Sequence, residues 1–392
     1  LHAPRDGSSI AAMIPSVLDM IRQLVALPSA SSFDPAHDQG NLNVIHALAS
    51  WLHDIGCEIR IEPLEGEPAR ANLVATLGSG EQGLVLSGHS DTVACETGRW
   101  KHDPYVVTED ASLLYGLGIA DMKAFFALAI EAMRSVPRDR IRRPVILVAT
   151  ADEECAMGGV RALVAAGRLR ARHALIGEPT SLRPVRMHKG MMMESIVIEG
   201  RSGHSSVPAG GASALDGMLR VMQELVAWRK ELAEAHHDAG FEVPTPTLNL
   251  GTIRGGDHPN RICGECELQI DLRPLPGMKL VELRRELAAR VDRVLGDPRL
   301  TVRIRSLYPG TEPVQTPADA PVVRAAEELT GQKAGSVAYG TEAPFFRSMG
   351  IEPLLLGPGD IAQAHQPDEY LAMSRIQPGV EVLRGMIERL CL

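Results

Sequence analysis

Residues 83–91 read GLVLSGHSD, an apolar run framed by glycines that ends in a histidine and a carboxylate. A run this short and this uniformly apolar suits a strand buried on both faces of a sheet. Three more runs share its character: PVILVAT at 144–150, HALIG at 173–177 and EPLLLG at 352–357. Helical patterns fall between them over 122–134 and 159–166, and two more are expected over 14–26 and 42–55. This alternation predicts an α/β fold with a mostly parallel sheet flanked by helices.

The middle of the chain has a different rhythm. From 191 to 306 the pattern predicts a strand, a helix after Gly211, strands over 247–253 and 262–272, a helix over 279–295 and a strand over 300–306. The order β-α-β-β-α-β is that of a ferredoxin-like α+β sandwich, a unit that can fold as an insertion. The expected organisation is one domain built from 1–185 and 307–392, interrupted by a second over 186–306.

Composition narrows the function classes. The 392 residues are 45% hydrophobic and 23% charged, ordinary values for a globular protein, and contain no 18-residue apolar run. With 40 basic against 49 acidic residues the net charge is -9, and no basic stripe marks a nucleic-acid surface. Residues 1–12 show neither the basic nor the apolar stretch of a secretory signal, so a cytoplasmic enzyme is expected. The six cysteines (57, 95, 155, 263, 266, 391) are scattered in the manner of a reducing compartment. Cys263 and Cys266 alone have suggestive spacing. They fall at the head of a predicted strand, where residues three apart face opposite ways, so neither a chelate nor a redox pair is expected.

In an open α/β sheet ligands bind beyond the carboxyl ends of the strands, and those positions are rich in metal-ligand side chains here. His89 and Asp91 follow the first run, Asp152, Glu153 and Glu154 the second, Glu178 the third, and the fourth leads on to His365. Asp121 precedes the helix near 122. Each alone is explained by capping or by the helix dipole. Together they would gather many like charges on one rim unless a cation joined them. One or two divalent ions resolve that conflict, and imidazole plus carboxylate donors suit zinc, cobalt or manganese better than calcium. Such ions acidify a water and polarise the bond it attacks, which points to hydrolysis of an amide or ester. Adjacent Glu153 and Glu154 cannot readily face the same ion, so one is free to act as general base. Asp91 can accept the ring N–H of His89 and orient it.

These segments, SGHSDTV, YGLGIADMK, TADEE, IGEPT and AHQPDEY, resemble the dinuclear zinc aminoacylase, carboxypeptidase and deacetylase family, over nearly the whole chain. The long stretches IGEPTSLRPVRMHKG, GTEAPFF and LGPGDIAQAHQPDEYL look like its deacetylase branch. The resemblance implies a metal-dependent amidohydrolase that removes an acyl group from the α-nitrogen of an amino acid. It implies two divalent ions, zinc or alternatively cobalt: His89 and Glu178 on one, Glu154 and His365 on the other, and Asp121 bridging. Glu153 would be the base, Asp91 the supporting carboxylate, and the peptide after Asp121 would be cis. It further implies a homodimer joined through the inserted domain, with His204 reaching the partner's site and Asn260 and Arg273 holding the substrate carboxylate. With the acyl group at the metals and the carboxylate at Arg273, a cationic substrate side chain needs an acceptor, and Glu342 in GTEAPFF is placed to supply it. A non-catalytic binding protein on the same fold would be expected to have lost a ligand or the base. All five ligands and Glu153 are present.

Overall fold

Leu84–His89 is the middle strand of the core: it lies parallel to Val145–Thr150 on one side and to His173–Ile176 on the other. A computed structural model describes residues 14–392, so the reading of residues 1–12 lies outside the described part. Every residue of Leu84–His89 and Val145–Thr150 is buried, as their apolar composition requires. The chain forms two compact units, the first made of residues up to Arg183 with Ala325–Gly331 and Leu355–Leu392, the second of Pro184–Arg324 with Gln332–Leu354.

In the first unit the sheet continues from Val145–Thr150 into Glu67–Leu77 and then Glu58–Leu64, both antiparallel. The sheet is therefore mixed, with its parallel part at the strand ends that carry the acids and histidines. Helix Ala124–Ser135 is apolar nearly all round and packs against Val17–Val25 and Ile376–Cys391. Such a helix is stable only when covered on all sides. Leu42–Asp54 covers the antiparallel hairpin.

The second unit contains the expected sandwich. Its four-stranded sheet runs Thr247–Gly255, Glu265–Arg273, Met192–Glu199, Thr301–Ser306, antiparallel throughout, which is the ferredoxin-like order. Helices Ala214–Ala235 and Leu280–Leu295 bury Trp228, Leu225, Leu287 and Val291 with the inward residues Cys266, Leu268, Ile270 and Leu272 of the second strand. Ser213 caps the first helix by accepting the Asp216 N–H at 3.2 Å. This unit extends past the expected limit of 306, through Arg324 and again over Gln332–Leu354, and within it Val314–Gln315 and Gly335–Val337 both pair with Val185–His188.

The expectation for the two neighbouring cysteines also changes. The strand begins at Glu265, so Cys263 precedes its alternation, and both cysteines enter the same core instead of facing opposite ways. Cys263 donates to the Glu265 carbonyl at 2.9 Å, and burial pushes the Cys266 thiol up to about 11. All six cysteines are free. Among the described residues, no helix is long and apolar enough to cross a membrane.

Candidate metal centre

The centre lies within the first unit and is assembled from four turns. The in-register pairing of His89 with Thr150 sets the first two side by side. Asp91, just past the first strand, turns its carboxylate to the second turn: one oxygen accepts the Glu153 N–H at 3.2 Å and the other the Glu154 N–H at 3.2 Å. Its expected role therefore shifts. The His89 Nδ1 faces the Asp91 backbone carbonyl at 3.0 Å, and the nearer carboxylate oxygen is 3.7 Å away. Occupied by two backbone donors, the carboxylate leaves the ring to the carbonyl. The ring is still fixed, and its Nε2 points to Asp121 Oδ1 at 3.1 Å.

Asp121 sits on the third turn. Gly118 enters it at φ 73°, where a Cβ would come within 2.5 Å of Thr92 Cγ2, so only glycine fits. The Asp121–Met122 peptide is cis, as the resemblance implies. The fourth turn carries His365, whose Nε2 lies 3.0 Å from Glu154 Oε2 and 3.7 Å from Asp121 Oδ2. Ligand atoms of His89, Asp121 and Glu154 all lie within 4.8 Å of one another. Glu178 is buried at the end of His173–Ile176, outside that mutually close set. Glu153 is half-buried, and its charge acts on His89.

The electrostatics favour added positive charge. Burial would lower the His89 imidazole, yet its hydrogen bond to Asp121 and the charges of Asp121, Glu153 and Asp91 hold it well above its ordinary value. The hydrogen bond to Glu154 carries His365 up to about 9 against burial. Burial raises Glu154, with the Asp121 charge adding to it. Carboxylates and imidazoles gathered this closely could hold a metal ion. Oxygen and imidazole donors without a thiolate fit a divalent transition ion.

The other expected residues lie in the second unit. His204 and Asn260 share one surface loop system: the Ser205 N–H donates to the Asn260 carbonyl at 2.9 Å, and His204 bridges to Arg261. His204 is exposed, its Nδ1 accepting from the Ser206 N–H at 3.2 Å. Asn260 Oδ1 accepts from the His258 ring at 2.6 Å, and half-buried Arg273 donates to Asp271 at 3.0 Å. Glu342 is 1% exposed and precedes helix Ala343–Ser348, but its carboxylate makes no capping bond to that helix. Helix capping does not account for it.

Two residues escaped the sequence reading. Glu369, buried, accepts backbone N–H groups from the turn that presents Asp121. Lys123 is almost fully buried, donates to the Leu27 carbonyl at 2.7 Å and is pushed down to about 7 by burial, against the charges of Glu369 and Asp91. A lysine opening an otherwise apolar helix was the available signal for the second. The first had none beyond its place in HQPDEY.

The sequence model of peptidase family M20/M25/M40 matches residues 85–389. The chain belongs to this family. It is 45% identical over 382 residues to an acetylornithine deacetylase of Photorhabdus laumondii, covering 97% of this chain and 98% of that one. It is 44% identical over 377 residues to an acetylornithine deacetylase of Aliivibrio fischeri, covering 96% and 99%. Among solved structures, an M20 family metallo-carboxypeptidase of Sulfolobus solfataricus matches with a TM-score of 0.75 at 14% identity, covering 96% of this chain and 99% of that one. A dinuclear metal-binding M20 peptidase of Bacillus subtilis matches with a TM-score of 0.68 at 14% identity, covering 95% and 97%. As an M20 family member the protein is a metal-dependent hydrolase acting on amide bonds.

Proposed function

We propose that this M20 enzyme removes the acetyl group from N2-acetyl-L-ornithine, releasing L-ornithine and acetate, a step of arginine biosynthesis. The observation that carries the reading is whole-chain identity of 45% to an acetylornithine deacetylase, together with the clustered side chains that the chemistry needs. Two divalent ions, zinc or cobalt, would be held by His89 with Glu178 and by Glu154 with His365, Asp121 lying between them. Bound there, the ions would lower the pKa of water and polarise the amide carbonyl.

The chain's own groups supply the proton transfers and the orientation. Glu153 takes the proton of the attacking water and returns one to the leaving amine. Asp91, by fixing the backbone N–H groups of Glu153 and Glu154, holds base and ligand on one turn. Arg273 grips the α-carboxylate, for which a guanidinium is suited, and Asn260 adds a polar contact. Glu342 receives the δ-ammonium. The enzyme acts as a homodimer in which His204 of one subunit steadies the oxyanion in the other.

The test is release of free amine, read with ninhydrin, from acetylornithine, acetylcitrulline, succinyl-diaminopimelate and dipeptides. The highest kcat/KM for acetylornithine is expected. A preference for any of the others would move the protein to another branch of the family, and no turnover of any of them would contradict the proposed activity.

A further inference from the structure

His365 and Glu369 share one strap, four residues apart, ahead of strand Tyr370–Ala372. The strap is pinned at two places. Tyr370–Ala372 pairs antiparallel with Leu113–Tyr115, and the Glu369 carbonyl accepts the Gly116 N–H at 3.0 Å. Beyond it, the Glu369 carboxylate, 2% exposed, faces backbone donors of the neighbouring turn. Oε2 accepts the Gly118 N–H at 2.8 Å, while Oε1 accepts the Ala120 N–H at 2.7 Å and the Asp121 N–H at 3.0 Å.

Three converging donors select the residue type. A carboxylate offers two acceptor oxygens, whereas an amide offers one and turns N–H groups toward N–H groups at the other end. The crowding at Gly118 leaves that turn little room to relax. The same side chain therefore ties the turn that presents Asp121 to the strap that presents His365.

We propose that Glu369 is the positioning residue of the metal centre, setting the spacing between Asp121 and His365 without itself binding an ion. The inference rests on the metal-centre reading above. Its action is through the backbone, so losing it displaces ligands and weakens metal binding while leaving the sheet and helices intact.

The experiment is titration of metal-stripped protein with zinc ion alone, by calorimetry, and with cobalt ion, by visible absorption. Glu369→Gln should weaken zinc binding about 10- to 100-fold, the usual effect of removing a partner behind a ligand, and change the cobalt spectrum at unaltered far-ultraviolet dichroism. Glu369→Asp, which keeps the carboxyl group but retracts it, should do the same and decides the matter if the glutamine variant does not fold. Asp368→Ala is the control. Asp368 holds the same strap by accepting the Lys101 N–H at 2.9 Å and the His102 N–H at 3.2 Å, away from the Asp121 turn. It should lower thermal stability and leave zinc affinity and the cobalt spectrum as in the parent. Parental affinity and spectrum in both Glu369 variants, or an equal loss of affinity in Asp368→Ala, would overturn the positioning role alone. Failure of the parent protein to bind either ion would overturn the metal-centre reading and this proposal with it.

Discussion

The carboxylate of Asp91 accepts the backbone N–H of Glu153 at 3.2 Å, and its second oxygen does the same for Glu154. Two adjacent glutamates thus leave one fixed turn, and Glu154 is the one whose carboxylate joins His89 and Asp121. Glu153→Gln should keep bound metal and nearly abolish turnover, since it removes a proton acceptor and no ligand. Glu154→Gln should lose metal. Elemental analysis beside kcat reads the division, and an equal loss of metal in both variants would refute it.

His204 is exposed in the second unit, on a loop held to that of Asn260. If it serves the partner's site, inactive His204→Ala and inactive Glu153→Gln proteins should recover activity when their subunits exchange, because a mixed dimer holds one intact pairing. Demonstrated heterodimers with no recovered activity would place His204 in its own subunit's site or outside catalysis.

Glu342 is buried without capping its helix. A desolvated, charge-assisted pair with an ammonium contributes about 1.5–3 kcal/mol, so Glu342→Gln should cost ~10- to 150-fold in kcat/KM for acetylornithine. Acetylmethionine, with no cation, should lose much less. Equal losses for the two substrates would assign Glu342 a structural role.

The acid limb of stability has a named contributor. His188 is fully buried, and burial lowers its imidazole from 6.5 to about 4. Between those values the unfolded chain binds a proton that the folded chain does not. The stability present above pH 6.5 is therefore lost as the pH falls toward 4, by about 3 kcal/mol for this group. Urea denaturation at neutral pH and near pH 4 should show a shallower acid loss in His188→Gln than in the parent. Identical acid losses would remove His188 from the account.

What could be read from sequence follows from how local each signal is. Leu84–His89, Val145–Thr150 and the sandwich strands announce themselves through runs and alternation that the sheet imposes directly. The hairpin of Glu58–Leu64 with Glu67–Leu77 was not singled out, because Glu58, Arg60 and Glu62 put charge along an edge strand that is only half covered. Metal-ligand residue types at strand ends were legible for the same reason as the strands. The partner of a ring nitrogen was not: whether His89 meets the carbonyl or the carboxylate of Asp91 depends on which backbone donors claim the carboxylate first. Glu369 meets a turn 248 residues away in the chain, and nothing near it in sequence encodes those donors.

The central claim, metal-dependent deacetylation of acetylornithine, is tested most directly by stepwise return of zinc or cobalt to chelator-stripped protein while ornithine release is followed. The account predicts no release from the stripped protein, activity that rises with bound metal to a plateau at two ions per chain, and a metal-loaded Glu153→Gln protein that stays silent. Ornithine release at full rate without metal, or from metal-loaded Glu153→Gln, would contradict it.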